Sequence, residues 1–100
     1  MQEDKIWGYL GLAAKAGKLV SGEFMTEKAV KQGTAKLVIL AEDASDNTKK
    51  MFRNMCEFYH VEMYTMSSKE ALGHGIGKQF RASLAVLDDG FAKAIKKQFT

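Results

Sequence analysis

Five consecutive aliphatic residues, Leu37-Val38-Ile39-Leu40-Ala41, stand between Gly33 and the acidic pair Glu42-Asp43. The run is too short for a stable helix and has no polar side to show to water, so it reads as a strand covered on both faces. Such a strand needs a layer above it and a layer below, and the flanking segments can supply them. Between Lys5 and Ala16, the residues Ile6, Leu10, Ala13 and Ala14 share one helical face, with Trp7 beside them. Gly17 closes that helix. Leu19-Val20 is a short strand candidate that runs into Ser21-Gly22. Glu23 to Gln32 is made of good helix formers, pairs Glu27 with Lys31 at i, i+4, and turns Met25, Ala29 and Val30 to one side until Gly33 stops it.

The second half repeats the rhythm. Ser45-Asp46-Asn47-Thr48 supplies capping oxygens for a helix whose apolar face is Met51, Phe52, Met55, Cys56 and Tyr59. Val61 to Met66 reads as a strand, and Ser67-Ser68-Lys69-Glu70 has the Ser-x-x-Glu form of a capping box opening a short helix through Leu72 and Ile76. Ser83 to Leu87 is the last apolar strand. Asp88-Asp89-Gly90 leads into a final helix with Phe91, Ala92, Ile95 and Phe99 inward and Lys93, Lys96 and Lys97 outward. Helix and strand alternate with short joints, which predicts one domain over residues 1–100: a sheet, at least partly parallel, between helix layers.

Charge and sulfur content narrow the function. Fifteen Lys and Arg against twelve Asp and Glu leave +3 on 100 residues, which permits nucleic acid as a partner without demanding it. One cysteine excludes a disulfide framework and a multi-thiolate zinc site. No apolar run approaches the roughly 20 residues of a membrane helix, and the opening Met1-Gln2-Glu3-Asp4-Lys5 is acidic with no signal-like stretch after it, so a cytoplasmic protein away from membranes is expected.

Gly73-His74-Gly75-Ile76-Gly77-Lys78 invites comparison with phosphate loops. Its spacing is neither the dinucleotide fingerprint nor a Walker loop, and Gln79 stands where Ser or Thr would bind magnesium. Glycines that permit close packing and a turn into the last strand are the plainer account. His60 and His74 lack a neighbouring Cys or second His at metal spacing, and Cys56 lies on an apolar helix face as an inert thiol. No metal, cofactor or small-molecule substrate is expected. Glu42 and Asp43 follow the central strand, where open α/β folds place ligands, and with Asp88 they would be the carboxylates of a small hydrolase. Asp88 and Asp89 occupy an equivalent joint, and the same chemistry at two joints favours capping. No nucleophile or oxyanion site accompanies them, so the chain is expected not to be an enzyme.

The cations are more informative by position than by number. Lys15 and Lys18 flank Gly17, Lys28 lies in the helix after Gly22, Lys69 opens the short helix, and Lys78 and Arg81 precede the last strand. If the joints after Val20 and Ala41 share an edge with the turn Gly77 to Arg81, one patch gains a helix N-terminus, backbone donors and cations, which is a phosphate surface. The competing account is a solvated shell of surface charge.

Two stretches carry a family resemblance. Ala29-Val30-Lys31-Gln32-Gly33-Thr34-Ala35-Lys36-Leu37-Val38-Ile39-Leu40-Ala41-Glu42-Asp43-Ala44, followed by Ser68-Lys69-Glu70-Ala71-Leu72-Gly73, resembles the kink-turn-binding ribosomal protein family of archaeal L-seven-Ae type. The opening Leu10-Gly11-Leu12-Ala13-Ala14-Lys15-Ala16-Gly17-Lys18-Leu19-Val20-Ser21-Gly22-Glu23 is closer still to its bacterial YlxQ-like branch. The likeness covers nearly the whole chain and implies an α/β fold, a three-layer α/β/α sandwich with a mixed four-stranded sheet, and a non-catalytic, ribosome-associated RNA-binding role.

In that family the loop into the second helix carries Gly-x-Asn-Glu-x-x-Lys, whose Asn and Glu read the tandem sheared G·A pairs of a kink-turn. Gly22 and Lys28 match this pattern; Phe24 and Met25 occupy the Asn and Glu positions, so the groups that bond guanine edges are missing. The family also contacts protruding nucleotides through the loop before its last strand, onto which Gly77, Lys78, Gln79, Phe80 and Arg81 map. The expected RNA-binding residues are thus Gly22, Glu23, Phe24, Met25, Lys28, Lys69, Gly77, Lys78, Gln79 and Arg81, and the expected partner is structured RNA, ribosomal RNA above all, met by a monomer with weakened base readout. The rival reading is a protein-interaction module of the translation machinery using an exposed patch around Phe24 and Met25.

Overall fold

A computed structural model describes residues 2–100. Five helices and four strands alternate: α1 (Glu3–Lys15), β1 (Leu19–Ser21), α2 (Glu23–Lys31), β2 (Leu37–Leu40), α3 (Asp46–Tyr59), β3 (Met63–Thr65), α4 (Lys69–Gly75), β4 (Ser83–Val86) and α5 (Asp89–Phe99). The sheet order is β1-β4-β2-β3, with β4 antiparallel to both neighbours and β2 parallel to β3. The sheet is therefore mixed and four-stranded, as the family resemblance implies, and partly parallel, as the alternation of elements predicts.

Side-chain alternation along β2 and β4 divides the interior into two cores. Leu37, Ile39, Leu84 and Val86 point to one side, where they pack with Ile6, Leu10, Leu72 and Ile95 of α1, α4 and α5. Val38, Leu40 and Ala85 point to the other, against Ala29 and Val30 of α2 and Phe52 and Cys56 of α3. All four residues of β2 are fully buried, the condition its unbroken apolar run anticipates. Helices on both faces make the three-layer sandwich.

Several local expectations are corrected. Met25 does not turn inward; it is 42% exposed, and Thr26 is the buried residue, its hydroxyl 3.4 Å from that of Ser83 on β4. Tyr59 is also outside, 40% exposed at the end of α3. The cap of α4 is Ser68, whose Oγ accepts from Ala71 N–H at 3.1 Å, so the box drawn from Ser67 to Glu70 is one residue out of register. Ser67 itself takes a left-handed φ of 62°. The strand expected over Val61–Met66 shortens to Met63–Thr65, because Val61 N–H is taken by Cys56 C=O at 2.8 Å in closing α3.

Of the joint carboxylates, Asp43 and Asp88 bond first-turn amides, and Asp43 does so on a helix other than the nearest one. Ser45 caps α3 and Asp88 caps α5, accepting from Thr48 and Phe91 respectively. Asp43 reaches across to α4, its Oδ1 accepting from Lys69 N–H at 2.8 Å. Because β4 runs antiparallel to β2, Asp88 follows the opposite end of the sheet from Asp43. The carboxylate set required for a hydrolase is thereby separated.

Cys56 is 2% exposed, and burial pushes its thiol up from 9.0 to about 11. Folding favours the protonated thiol, so its contribution to stability is complete below pH 9.0 and is lost as pH rises through about 11. Two outcomes are expected: Cys56 reacts with an aromatic disulfide reagent at neutral pH only as fast as the protein unfolds, and the stability gap between the native chain and Cys56→Val, measured in urea, shifts toward the variant as pH rises from 9.0 to about 11.

Candidate nucleic-acid interface

The register fixes which joints meet. Ser21 pairs with Leu84 and Leu40 with Ser83, so the C-terminal ends of β1 and β2 lie beside the N-terminal end of β4. Gly22 N–H donates to Ser83 C=O and Ala41 N–H to Ala82 C=O, both at 2.9 Å, while Arg81 N–H donates to Lys69 C=O at 3.0 Å. The joint after β1, the joint after β2 and the turn before β4 thus form one continuous rim, the convergence on which the phosphate-surface reading depends.

Gly22 makes the turn into α2 possible. With φ 91° and ψ 158° it occupies a region essentially restricted to glycine, and it starts the helix without a side-chain cap. Ser45, Ser68 and Asp88 each bond a first-turn amide of their own helices, whereas the first turn of α2 has no such partner. Its amides and the positive end of its dipole face the rim.

A depression of about 590 Å³ lies there, lined in part by Lys15, Ser21, Met25, Gly77, Lys78 and Arg81. Arg81 is half-buried: its Nε donates to Ser21 Oγ at 3.0 Å and its Nη1 to Phe80 C=O at 2.8 Å. These bonds hold the guanidinium in place across the gap between β1 and the turn. Gly77, with φ 76°, follows α4, and Lys78 N–H closes the helix on Gly73 C=O at 2.8 Å, leaving the Lys78 side chain exposed.

The structure brings Met25, Gly77, Lys78 and Arg81 together around this depression and sets Gly22 at its edge. Glu23, Phe24, Lys28, Lys69 and Gln79 do not line it. Phe24 is 75% exposed and Lys28 follows it at i+4, so the two share the solvent face of α2 next to the rim. Lys69 is half-buried, and its backbone joins Asp43 to Arg81. Gln79 is exposed, but its carbonyl oxygen packs over Gly73. Sequence reasoning gave no role to Ser21, which anchors Arg81 from 60 positions away; no local pattern announces such a pair.

Among the described residues no three His, Cys, Asp or Glu side chains gather as a metal site, and no helix is long and apolar enough to cross a membrane.

Comparison with known proteins agrees with this architecture. The chain is 45% identical over 86 residues to the RNA-binding protein YlxQ of Bacillus subtilis, covering 86% of each chain, and 38% identical over 93 residues to the RNA-binding protein YlxQ of Enterococcus faecium, covering 93% of this chain and 89% of that one. A solved protein of unknown function from Bacillus halodurans superposes with a TM-score of 0.90 at 38% identity, over 93% of this chain and 94% of that one. The Giardia lamblia 15.5kD RNA binding protein shares the fold, with a TM-score of 0.81 at 22% identity over 95% of this chain and 82% of its own. Residues 4–96 match the ribosomal protein L7Ae/L30e/S12e/Gadd45 family, and the chain belongs to that family, in its YlxQ-like bacterial branch.

Proposed function

We propose that this chain is a non-enzymatic, cytoplasmic RNA-binding protein that acts as a monomer on structured RNA of the kink-turn-like kind, in association with the ribosome. The observation that carries this reading is the rim itself: an uncapped helix N-terminus, a fixed guanidinium and exposed lysines around one open depression. The names of the YlxQ relatives support RNA as the ligand. Phosphate binding comes from Lys78, Arg81, Lys15 and the α2 amides, with Lys28 reaching from the adjoining face. Phe24 and Met25 offer apolar surface where the family pattern has polar base readers, so affinity rests on the backbone of the RNA more than on base identity.

The test is a salt titration with ribosomal RNA fragments. Lys28→Ala combined with Arg81→Ala should weaken binding and lower the slope of log affinity against log salt by roughly 0.9 for each phosphate no longer neutralised. Binding that keeps both its strength and its slope would exclude this rim as the RNA-binding surface.

A second reading follows from the exposure of Phe24 (75%) and Met25 (42%) on the first turn of α2: a docking patch for a protein of the translation machinery. Nuclease treatment separates the two. A partner retained after RNA is digested, and released by Phe24→Ser, supports docking; release with the RNA supports the rim as an RNA site.

A further inference from the structure

The opposite end of the sheet carries a second basic surface. Lys36 N–H donates to Val86 C=O at 2.7 Å and Val38 N–H to Glu62 C=O at 3.0 Å, so the start of β2, the approach to β3 and the end of β4 lie together, away from Ser21 and Ser83. Two depressions open there, of about 400 and 350 Å³, and share Lys96 and Glu62. Lys31 and Lys36 line the first, Lys93 and Lys97 the second. The side-chain carboxylates among their lining residues are Glu62 and Asp89. Glu62 pairs with Lys96 at 3.7 Å and also accepts from the hydroxyl of Tyr64; Lys31 pairs with Glu27 at 2.9 Å. Among the described residues, Lys36, Lys93 and Lys97 have no carboxylate at ion-pair distance.

An independent observation lies at the edge of the first depression. Tyr59 lines it, and Phe58 stands edge-to-face on Tyr59 with ring centroids 4.9 Å apart. Phe58 is 74% exposed and belongs to neither core. Two outward aromatic rings beside the unpaired Lys36 and the neighbouring Lys31 and Lys96 match the combination that holds single-stranded nucleic acid: charge for the backbone and a ring face for a base.

We propose that this end of the molecule is a second RNA-binding surface, which takes a single-stranded segment with its phosphates over Lys36, Lys96 and Lys97 and a base stacked on the Phe58–Tyr59 pair. RNA fits better than an acidic peptide because the lysines are dispersed point charges spread over two depressions beside exposed rings. A ring face offers a base a stacking platform, which the carboxylates of an acidic peptide cannot use. This inference does not rest on the rim. If both surfaces operate, one molecule measuring 28 × 25 × 25 Å joins two RNA segments at its opposite ends.

The experiment titrates the full chain with a labelled polyuridine oligonucleotide about a dozen nucleotides long. Lys36→Glu with Lys97→Glu should lower affinity at least tenfold, and Phe58→Ala, a surface change that spares the core, roughly tenfold; both losses should persist when the rim is disabled by Lys28→Ala with Arg81→Ala. Oligonucleotide binding that survives both far-end variants, or that is abolished only in the rim variant, overturns the inference. Polyglutamate of matched charge competing as well as the oligonucleotide overturns it too, since a simple cation surface would then suffice. If instead the rim variant leaves structured-RNA binding intact while the far-end variants abolish oligonucleotide binding, the rim reading fails and this one stands.

Discussion

Replacing Gly73 with alanine is expected to destabilise the protein by about 3 kcal/mol, because the added methyl has nowhere to go. A Cβ at Gly73 would lie 1.1 Å from the Gln79 carbonyl oxygen, 2.3 Å from its carbon and 3.2 Å from Phe80 N. All three are backbone atoms, so no side chain can swing aside. Nor can the loop lift freely: Lys78 N–H holds it to Gly73 C=O and Arg81 N–H holds it to Lys69 C=O. One of those bonds must break or α4 must move. Gly75 provides the control, since a Cβ there meets the ring of Trp7 at 2.6 Å, a half-buried side chain able to shift, and Gly75→Ala should cost closer to 1 kcal/mol. Urea unfolding of both variants reads the difference. Because the displaced loop carries Lys78 and leads to Arg81, Gly73→Ala should also weaken RNA binding more than Gly75→Ala under conditions where both remain folded. Equal unfolding midpoints for the two variants would show that the loop is not clamped onto α4.

The contrast between these glycines illustrates what the sequence can and cannot disclose. The glycine-rich segment reads correctly as a place of close packing, yet nothing in its spacing says that Gln79 is what packs on Gly73, because the chain must first return over α4 toward β4. Elements announced by one-dimensional periodicity are legible in the same way: β2 by its unbroken apolar run, α5 by its inward Phe91, Ala92, Ile95 and Phe99. Periodicity misleads at α2, where Met25 is the more apolar residue but Gly22 sets the helix so that Thr26 faces β4. Ser83 opposite it makes a buried hydroxyl tolerable. The rim is legible only as a set of cations near joints. Which joints meet depends on β4 inserting between β1 and β2, a pairing of segments more than 60 residues apart for β1 and more than 40 for β2. The family resemblance implied a mixed four-stranded sheet but not this strand order. The far-end lysines, by comparison, read from the sequence only as the outer face of α5, since Lys36 and Tyr59 join them through the sheet rather than through the chain.

Phe24→Asn combined with Met25→Glu is expected to make RNA binding selective for a kink-turn. The preference for a kink-turn over the same RNA with its tandem G·A pairs replaced by Watson–Crick pairs should rise by about 2 kcal/mol, or roughly 30-fold. Both side chains are exposed on the first turn of α2 and belong to neither core, so their replacement should change stability by only about 0.5 kcal/mol. A carboxylate in that turn is moreover compatible with the helix dipole. The new amide and carboxylate would occupy the positions at which the family pattern places its guanine-edge acceptors and donors, beside a Gly22 and a Lys28 that already match. The added negative charge makes the outcome diagnostic. It must weaken attraction to any RNA backbone, so affinity for the control RNA should fall while affinity for the kink-turn rises; a general gain in stickiness cannot imitate that divergence. Parallel titrations at one fixed salt concentration measure it. If both affinities fall together, positions 24 and 25 do not face base edges, and the rim binds RNA, if at all, in an orientation different from the one its family pattern implies.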